Sequence, residues 1–156
     1  MAELKARLQA DLSTAIKARE STRMAALRMA LAALTTEDVA GDTARELSDD
    51  EVQKVLTREV KKRKEAAEAF AGAGRDERAK AEQDEAAVLT EYLPQQLTDD
   101  ELETIVTQAV AEVTEQLGAA PGQRQMGQVM KAANAKIAGR AEGSRVASSV
   151  RAKLQG

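Results

Sequence analysis

YLPQQLTDDEL, residues 92–102, is the stretch that decides the fold, because a helical pattern ends in it and another begins. Pro94 lacks a backbone N–H and disfavours helical geometry at the residue before it, so the preceding helix is expected to end there. Thr98 and Glu101 have the spacing of a capping box, in which each side chain bonds to the other's backbone N–H. The chain is therefore expected to divide into residues 1–93, a hinge over 94–97, and residues 98–156.

The same signature occurs once before, at Ser48 and Glu51. Each box is flanked by a pair of apolar residues with the spacing of a hydrophobic staple, namely Leu47 with Val52 and Leu97 with Leu102. The remainder of the two halves shows no repeat. We therefore interpret the similarity as two helices that begin with the same capping motif, and not as a duplicated domain. The acid pairs beside the boxes, at 49–50 and 99–100, suit the first turn of a helix better than an acid–base or metal site.

Apolar residues recur every three or four positions in seven segments, which predicts an all-α protein. Four helices are expected in an N-terminal bundle and three in a smaller C-terminal subdomain. The fourth helix is expected over 76–93 and the sixth over 125–133, and the last carries Val146, Val150 and Leu154. In the fifth, Leu102, Val106, Val110 and Val113 are expected to be buried.

The third and fifth helices have opposite charge on their outer faces. The third is expected to bury Phe70 and to expose the basic residues Lys54, Arg58, Lys61, Lys62, Arg63 and Lys64. This basic run is predicted to pair with acids over 82–91, or else to remain a free binding face. All the charged residues on the outer face of the fifth helix are acids: Asp99, Asp100, Glu101, Glu103, Glu112 and Glu115.

Composition excludes several kinds of chemistry. The chain of 156 residues has no cysteine and no histidine, which removes disulfides, thiolate nucleophiles and the commonest metal ligand. With aromatics at 1%, it has no stacking platform for single-stranded bases. No phosphate-binding glycine loop or nucleophile elbow occurs, so no catalytic, cofactor or metal residue is predicted. With neither a long apolar run nor a signal-peptide pattern, a cytoplasmic protein without a membrane span is expected.

Basic residues concentrate at the C-terminal end. From Gln123 onward there are seven basic residues and one acid, Glu142, although the whole chain has a net charge of −3. This excess has two interpretations that the sequence leaves open. It is a phosphate-contacting surface, or it is a solvated face that complements the acidic fifth helix.

Several motifs resemble a known family, the YqeY-like proteins, whose C-terminal part is similar to the tail domain of GatB, the tRNA-handling subunit of the Asp/Glu-tRNA amidotransferase. In the tail region they are GQVMK (127–131), GRA (139–141), Val146 and KL (153–154). Earlier in the chain they are AIKA (15–18), LR (27–28), KKRKE (61–65), AGR (73–75) and YLP (92–94). Where the family often has proline before the second basic residue of the connector, this chain has Ala135 before Lys136, so a looser turn is expected there.

The resemblance implies a four-helix subdomain followed by a GatB/YqeY-type subdomain, and a link to tRNA. The first hypothesis is a non-catalytic tRNA-binding module, acting alone or as an accessory to tRNA-dependent amidation. Its RNA-binding residues would be Lys131, Lys136, Arg140 and Arg145, which lie in or beside the matching segments, with Lys131 ending the sixth helix and one concave surface presenting Lys131, Lys136 and Arg140.

Two other hypotheses remain. One is a helical adaptor that binds a protein partner, and no RNA, through helix 51–70 or helix 99–117. The other is an amidotransferase-type enzyme, a carbon–nitrogen ligase with glutamine as amido donor, for which the sequence supplies no catalytic residues. A monomer without cofactors is expected in each case.

Overall fold

A computed structural model describes residues 2–155, which contain seven α-helices, one short 3-10 turn and no strand. The prediction of an all-α protein is confirmed. The backbone divides into two compact units, Met1–Leu93 and Pro94–Gly156. We call them the N-terminal and C-terminal units. The outermost residues of the predicted domain ranges, 1 and 156, lie outside the described part.

The N-terminal unit consists of four helices: α1 (Glu3–Ala18), α2 (Ser21–Asp38), α3 (Asp49–Gly72) and α4 (Asp76–Thr90). They enclose an aliphatic core to which every helix contributes, with Leu8, Leu27, Leu34, Leu56 and Leu89 fully buried. Helix α4 ends three residues earlier than predicted. The backbone N–H groups of residues 91–93 each bond to a carbonyl three residues back, as in a 3-10 turn. This tighter turn closes the chain before the ring of Pro94.

The C-terminal unit consists of α5 (Asp99–Leu117), a 3-10 turn (Gln123–Gln125), α6 (Met126–Ile137) and α7 (Gly143–Gln155). Its separate core contains Leu97, Leu102, Val106, Ala109, Val113, Val129, Ala133, Ile137, Val146 and Val150. Helix α6 extends four residues beyond the predicted end. Ala135 keeps its backbone N–H, so the looser turn expected there is absent and the helix continues to Ile137. It ends where Ala138 and Gly139 take positive φ angles of 51° and 78°.

Both predicted capping boxes are confirmed. The Ser48 hydroxyl accepts from the Glu51 N–H, and the Glu51 carboxylate accepts from the Ser48 N–H. Thr98 and Glu101 make the same reciprocal pair. The apolar residues beside each box, Leu47 with Val52 and Leu97 with Leu102, belong to the cores of their respective units. These local signals fix the starts of α3 and α5.

Three predicted side-chain positions are wrong. Arg63, expected on the outer face of α3, is buried, whereas Phe70, expected inside, is only half-buried. In α5, Leu102, Val106 and Val113 are buried as predicted, but Val110 is half-buried, and Ala109 occupies the central core position. Ala109 follows Leu102 and Val106 by seven and three residues, which centres it on the buried stripe of the helix.

This difference predicts unequal costs for the same substitution at two positions of α5. Val106→Ala should lower the free energy of unfolding by about 1–2 kcal/mol, because it removes a fully buried side chain and leaves a cavity. Val110→Ala should cost less than about 1 kcal/mol, because its side chain is partly solvated already. Urea denaturation of both variants measures the difference. Equal losses would show that the burial assigned to α5 is incorrect.

Candidate nucleic-acid interface

Lys131 differs from the other three predicted RNA-binding residues, each of which contacts a protein group. It lies in the middle of α6, not at its end as predicted, because the helix continues to Ile137. Its side chain is exposed, as are Gly127 and Ala135, one turn before and after it. Among residues 2–155 the structure shows no ion pair or hydrogen bond for its ammonium group. Lys131 is therefore a solvated cation on a helix face with small neighbours.

Lys136 lies in the last turn of α6, where a cation suits the helix dipole. Its Nζ is 3.3 Å from Glu112 Oε2 on α5, and both side chains are about a third to a half exposed. A pair with this exposure contributes little to stability and opens readily. Lys136 follows Lys131 by five positions in the helix, which places the two side chains about 140° apart around the helix axis. The two lysines therefore do not share the single concave surface expected from the sequence.

Arg140 and Arg145 hold the segment that leads into α5. Arg140 Nε donates to the Gln95 carbonyl at 2.9 Å, and the Arg140 carbonyl accepts from the Leu97 N–H at 2.7 Å. Arg145 Nη2 donates to the Leu97 carbonyl at 3.0 Å and to Asp99 Oδ1 at 2.9 Å. The two predicted RNA-binding arginines thus satisfy backbone groups outside any helix, which is a structural role. This role is not predicted from the sequence, because a sequence does not show which backbone carbonyls an arginine will reach.

The acids of α5 neutralise much of the basic C-terminal end. Three cations from this end form ion pairs with α5: Lys136 with Glu112, Arg145 with Asp99, and Lys153 with Glu103. From residue 94 onward the sequence contains seven basic and seven acidic residues, so the formal charges of the C-terminal unit cancel. Of the two interpretations left open by the sequence, complementarity to α5 accounts for these three cations.

A groove of about 770 Å³ runs between the start of α5 and α7. Two of the ion pairs, Arg145 with Asp99 and Lys153 with Glu103, lie along it. Its remaining lining residues are Leu102, Ser144, Ser148, Ser149 and Ala152. Because the charged groups lining it are already paired with each other, the groove offers no excess charge to a nucleic acid.

The basic run of α3 is divided between ion pairs and solvent. The predicted pairing with α4 is confirmed for Arg63, whose Nε is 3.8 Å from Glu82 Oε2 and 3.7 Å from Glu85 Oε2. Arg58 pairs with Glu37 on α2. Other members of the run, such as Lys54 and Lys64, are exposed. The adaptor face proposed on this helix is therefore smaller than the sequence suggests.

Tyr92, the single tyrosine, is enclosed in the N-terminal unit. Its ring is 5% exposed, its hydroxyl donates to Asp11 Oδ2, and the Arg7 guanidinium lies 4.6 Å from the ring centre. Burial, together with the neighbouring Asp11 carboxylate, raises the pKa of Tyr92 to about 12. The ring is therefore a structural anchor and is not available to stack on a base.

Two further properties limit the chemistry of residues 2–155. In this range no three acidic side chains are placed to hold a metal ion together. Its helices also include none that is long and apolar enough to cross a bilayer.

Comparison with known proteins agrees with the motifs that resemble the YqeY-like family. The sequence model of the family described as Yqey-like protein matches residues 5–154. Among curated proteins, no relative matches the chain. The family match includes all seven helices apart from the first two residues of α1 and the last residue of α7. The chain therefore belongs to the YqeY-like family.

Proposed function

We propose that this protein is a non-catalytic tRNA-binding module that contacts RNA backbone through the outer face of α6, alone or as an accessory to tRNA-dependent amidation. The observation that carries the proposal is Lys131, a solvated lysine in the segment that resembles the GatB tail. Family membership supports it, since the match includes this segment. The small side chains one turn away, Gly127 and Ala135, leave room for a phosphate to approach the ammonium group.

The ligand class follows from what the surface offers. Tyr92 is buried, and the half-buried Phe70 lies beneath the guanidinium groups of Arg75 and Arg78, so neither ring is free to stack on a base. Recognition would therefore rest on phosphate contacts and on the shape of a folded RNA. A tRNA has both, whereas an unstructured strand has only the phosphates.

The four predicted contacts differ in what each can contribute. Lys131 is available without a rearrangement, and Lys136 becomes available when its exposed pair with Glu112 opens. Arg140 keeps part of its guanidinium for a ligand, since only its Nε is used by Gln95. Arg145 is the weakest candidate because Leu97 and Asp99 hold it. With about three cations available, the affinity is expected to be modest.

Equilibrium binding of labelled tRNA to the full chain tests this proposal. We expect tRNA to bind at low salt, and an unstructured RNA of equal length to bind at least severalfold more weakly. The difference is expected because shape, and not base stacking, supplies the discrimination. Absence of tRNA binding at low salt would overturn the proposal. Equal binding of both RNAs would contradict recognition of a folded RNA and would indicate non-specific electrostatic attraction.

A protein adaptor is the second candidate, favoured by the ion pairs that neutralise the C-terminal unit. The acids Asp100, Glu101 and Glu115 on α5 remain exposed and suit a basic protein surface. Capture from lysate with and without ribonuclease separates the candidates. A partner retained after ribonuclease treatment favours the adaptor, whereas loss of the captured protein favours RNA-mediated association.

A further inference from the structure

Met29 on α2 differs from the other methionines that the structure describes. Its side chain is 42% exposed, whereas Met24, Met126 and Met130 are only partly exposed. The Met29 sulfur also accepts a hydrogen bond from Arg63 Nη2 on α3 at 3.3 Å. A thioether is a weak acceptor. An exposed methionine therefore contacts a buried cation through its sulfur.

The cation that Met29 contacts lies at the centre of an acidic cluster. Arg63 is 8% exposed, and three carboxylates lie within 4 Å of it: Glu59 on its own helix and Glu82 and Glu85 on α4. Two buried atoms of this cluster, Arg63 Nε and Glu82 Oε2, have no hydrogen-bond partner. Lys62 reaches only Glu59, from the solvent side. Small displacements of Arg63 therefore change how well the acids of α4 are compensated.

We propose that Met29 is an oxidation site, and that its sulfoxide weakens the ion pairs between α3 and α4. The oxidant is a peroxide such as hydrogen peroxide. An S–O bond forms as the O–O bond breaks, the sulfur loses two electrons, and the peroxide is reduced to water.

The consequence follows from the contact with Arg63. The sulfoxide oxygen is a much stronger acceptor than the thioether sulfur, and it forms on the atom that Arg63 Nη2 already approaches. It competes with Glu82 and Glu85 for the guanidinium and needs more room than the 3.3 Å between the sulfur and Nη2 leaves, so Arg63 must shift. Its pairs with Glu82 and Glu85 are already long at 3.8 and 3.7 Å and are weakened by such a shift. Because a partly compensated buried carboxylate is costly, the oxidised unit is less stable than the reduced one.

Peptide mass spectrometry after brief peroxide treatment of the folded chain tests the first half of the proposal. Met29 is expected to gain one oxygen at least about three times faster than Met24, Met126 or Met130, since oxidation follows exposure. The same treatment after urea unfolding is the control, and there the four rates should converge. Oxidation of Met29 at the same rate as the others in the folded chain would overturn the proposal.

Thermal unfolding of the singly oxidised chain tests the second half. The unfolding temperature of the N-terminal unit is expected to fall by about 4–8 °C, the shift that a roughly fivefold change in the unfolding constant gives a unit of this size. Met29→Leu should show no shift on treatment. Glu85→Gln should show a smaller one, because less negative charge depends on Arg63. A wild-type protein oxidised at Met29 without a shift, or an equal shift in Glu85→Gln, would contradict the coupling to Arg63.

Discussion

Replacing Arg63 with methionine is expected to lower the free energy of unfolding of the N-terminal unit by about 3 kcal/mol. The guanidinium is the cation that Glu59, Glu82 and Glu85 share within 4 Å, and all four side chains are less than a fifth exposed. Removing one partner of a buried ionic cluster leaves the other charges without compensation. Urea denaturation, followed by helicity, measures the loss.

The excess of negative charge at this cluster is also visible in Glu85. Burial and the neighbouring Glu82 raise the pKa of the Glu85 carboxyl, against the opposing effect of Arg63. Adding Glu85→Gln to Arg63→Met should therefore restore part of the lost stability. The matched control is Arg58→Met, which makes the same change at an exposed pair on the same helix and should cost less than about 1 kcal/mol. Equal losses at Arg63 and Arg58 would show that the cluster does not stabilise the bundle.

Reversing the charge of Lys131 is expected to weaken tRNA binding at least about tenfold. In bulk water, a unit charge about 4 Å from a phosphate is worth about 1 kcal/mol, so Lys131→Glu changes the interaction by about 2 kcal/mol. Helicity and the unfolding midpoint should stay near the wild-type values, since the side chain is solvated. Fluorescence anisotropy with labelled tRNA at low salt measures the change.

Lys64→Glu is the control for net charge. Lys64 is an exposed lysine on α3, in the N-terminal unit, and the substitution changes the charge of the chain by the same amount. It should leave tRNA binding within about twofold of wild type, because Lys64 is not part of the proposed site on α6. If Lys64→Glu weakens binding as much as Lys131→Glu, the effect arises from overall charge and the site is not on α6.

Local signals in the sequence predicted much of the fold. A capping box depends only on two residues that are three positions apart, so it can be recognised in the sequence. Helices α3 and α5 begin directly after Ser48 and Thr98, as the two boxes predict. The end of α6 is predicted four residues too early from the sequence, although Ile137 follows Ala133 by four residues and continues the buried stripe. The helix ends because Ala138 takes a left-handed backbone conformation. An alanine gives no sign of this conformation in the sequence.

The roles of the charged residues were harder to predict because they depend on contacts distant in sequence. Arg63 lies among exposed lysines in the run, and only the packing of α4 against α3 places it opposite Glu82 and Glu85. Arg140 and Arg145 bind backbone carbonyls more than 40 residues away, at Gln95 and Leu97. Opposite charges in the sequence indicate ion pairs between helices, as they do for α3 and α4. A hydrogen bond from an arginine to a backbone carbonyl cannot be predicted in this way, because every residue has a carbonyl.

The salt dependence of tRNA binding by the full chain tests the proposed function most directly. If about three phosphates are neutralised, a plot of log affinity against log salt concentration should have a slope of about −2 to −3. Lys131→Glu should bind more weakly and with a shallower slope, because one phosphate contact is lost. Undetectable binding of wild type at low salt, or a slope near zero, would contradict the proposal that α6 contacts the RNA backbone.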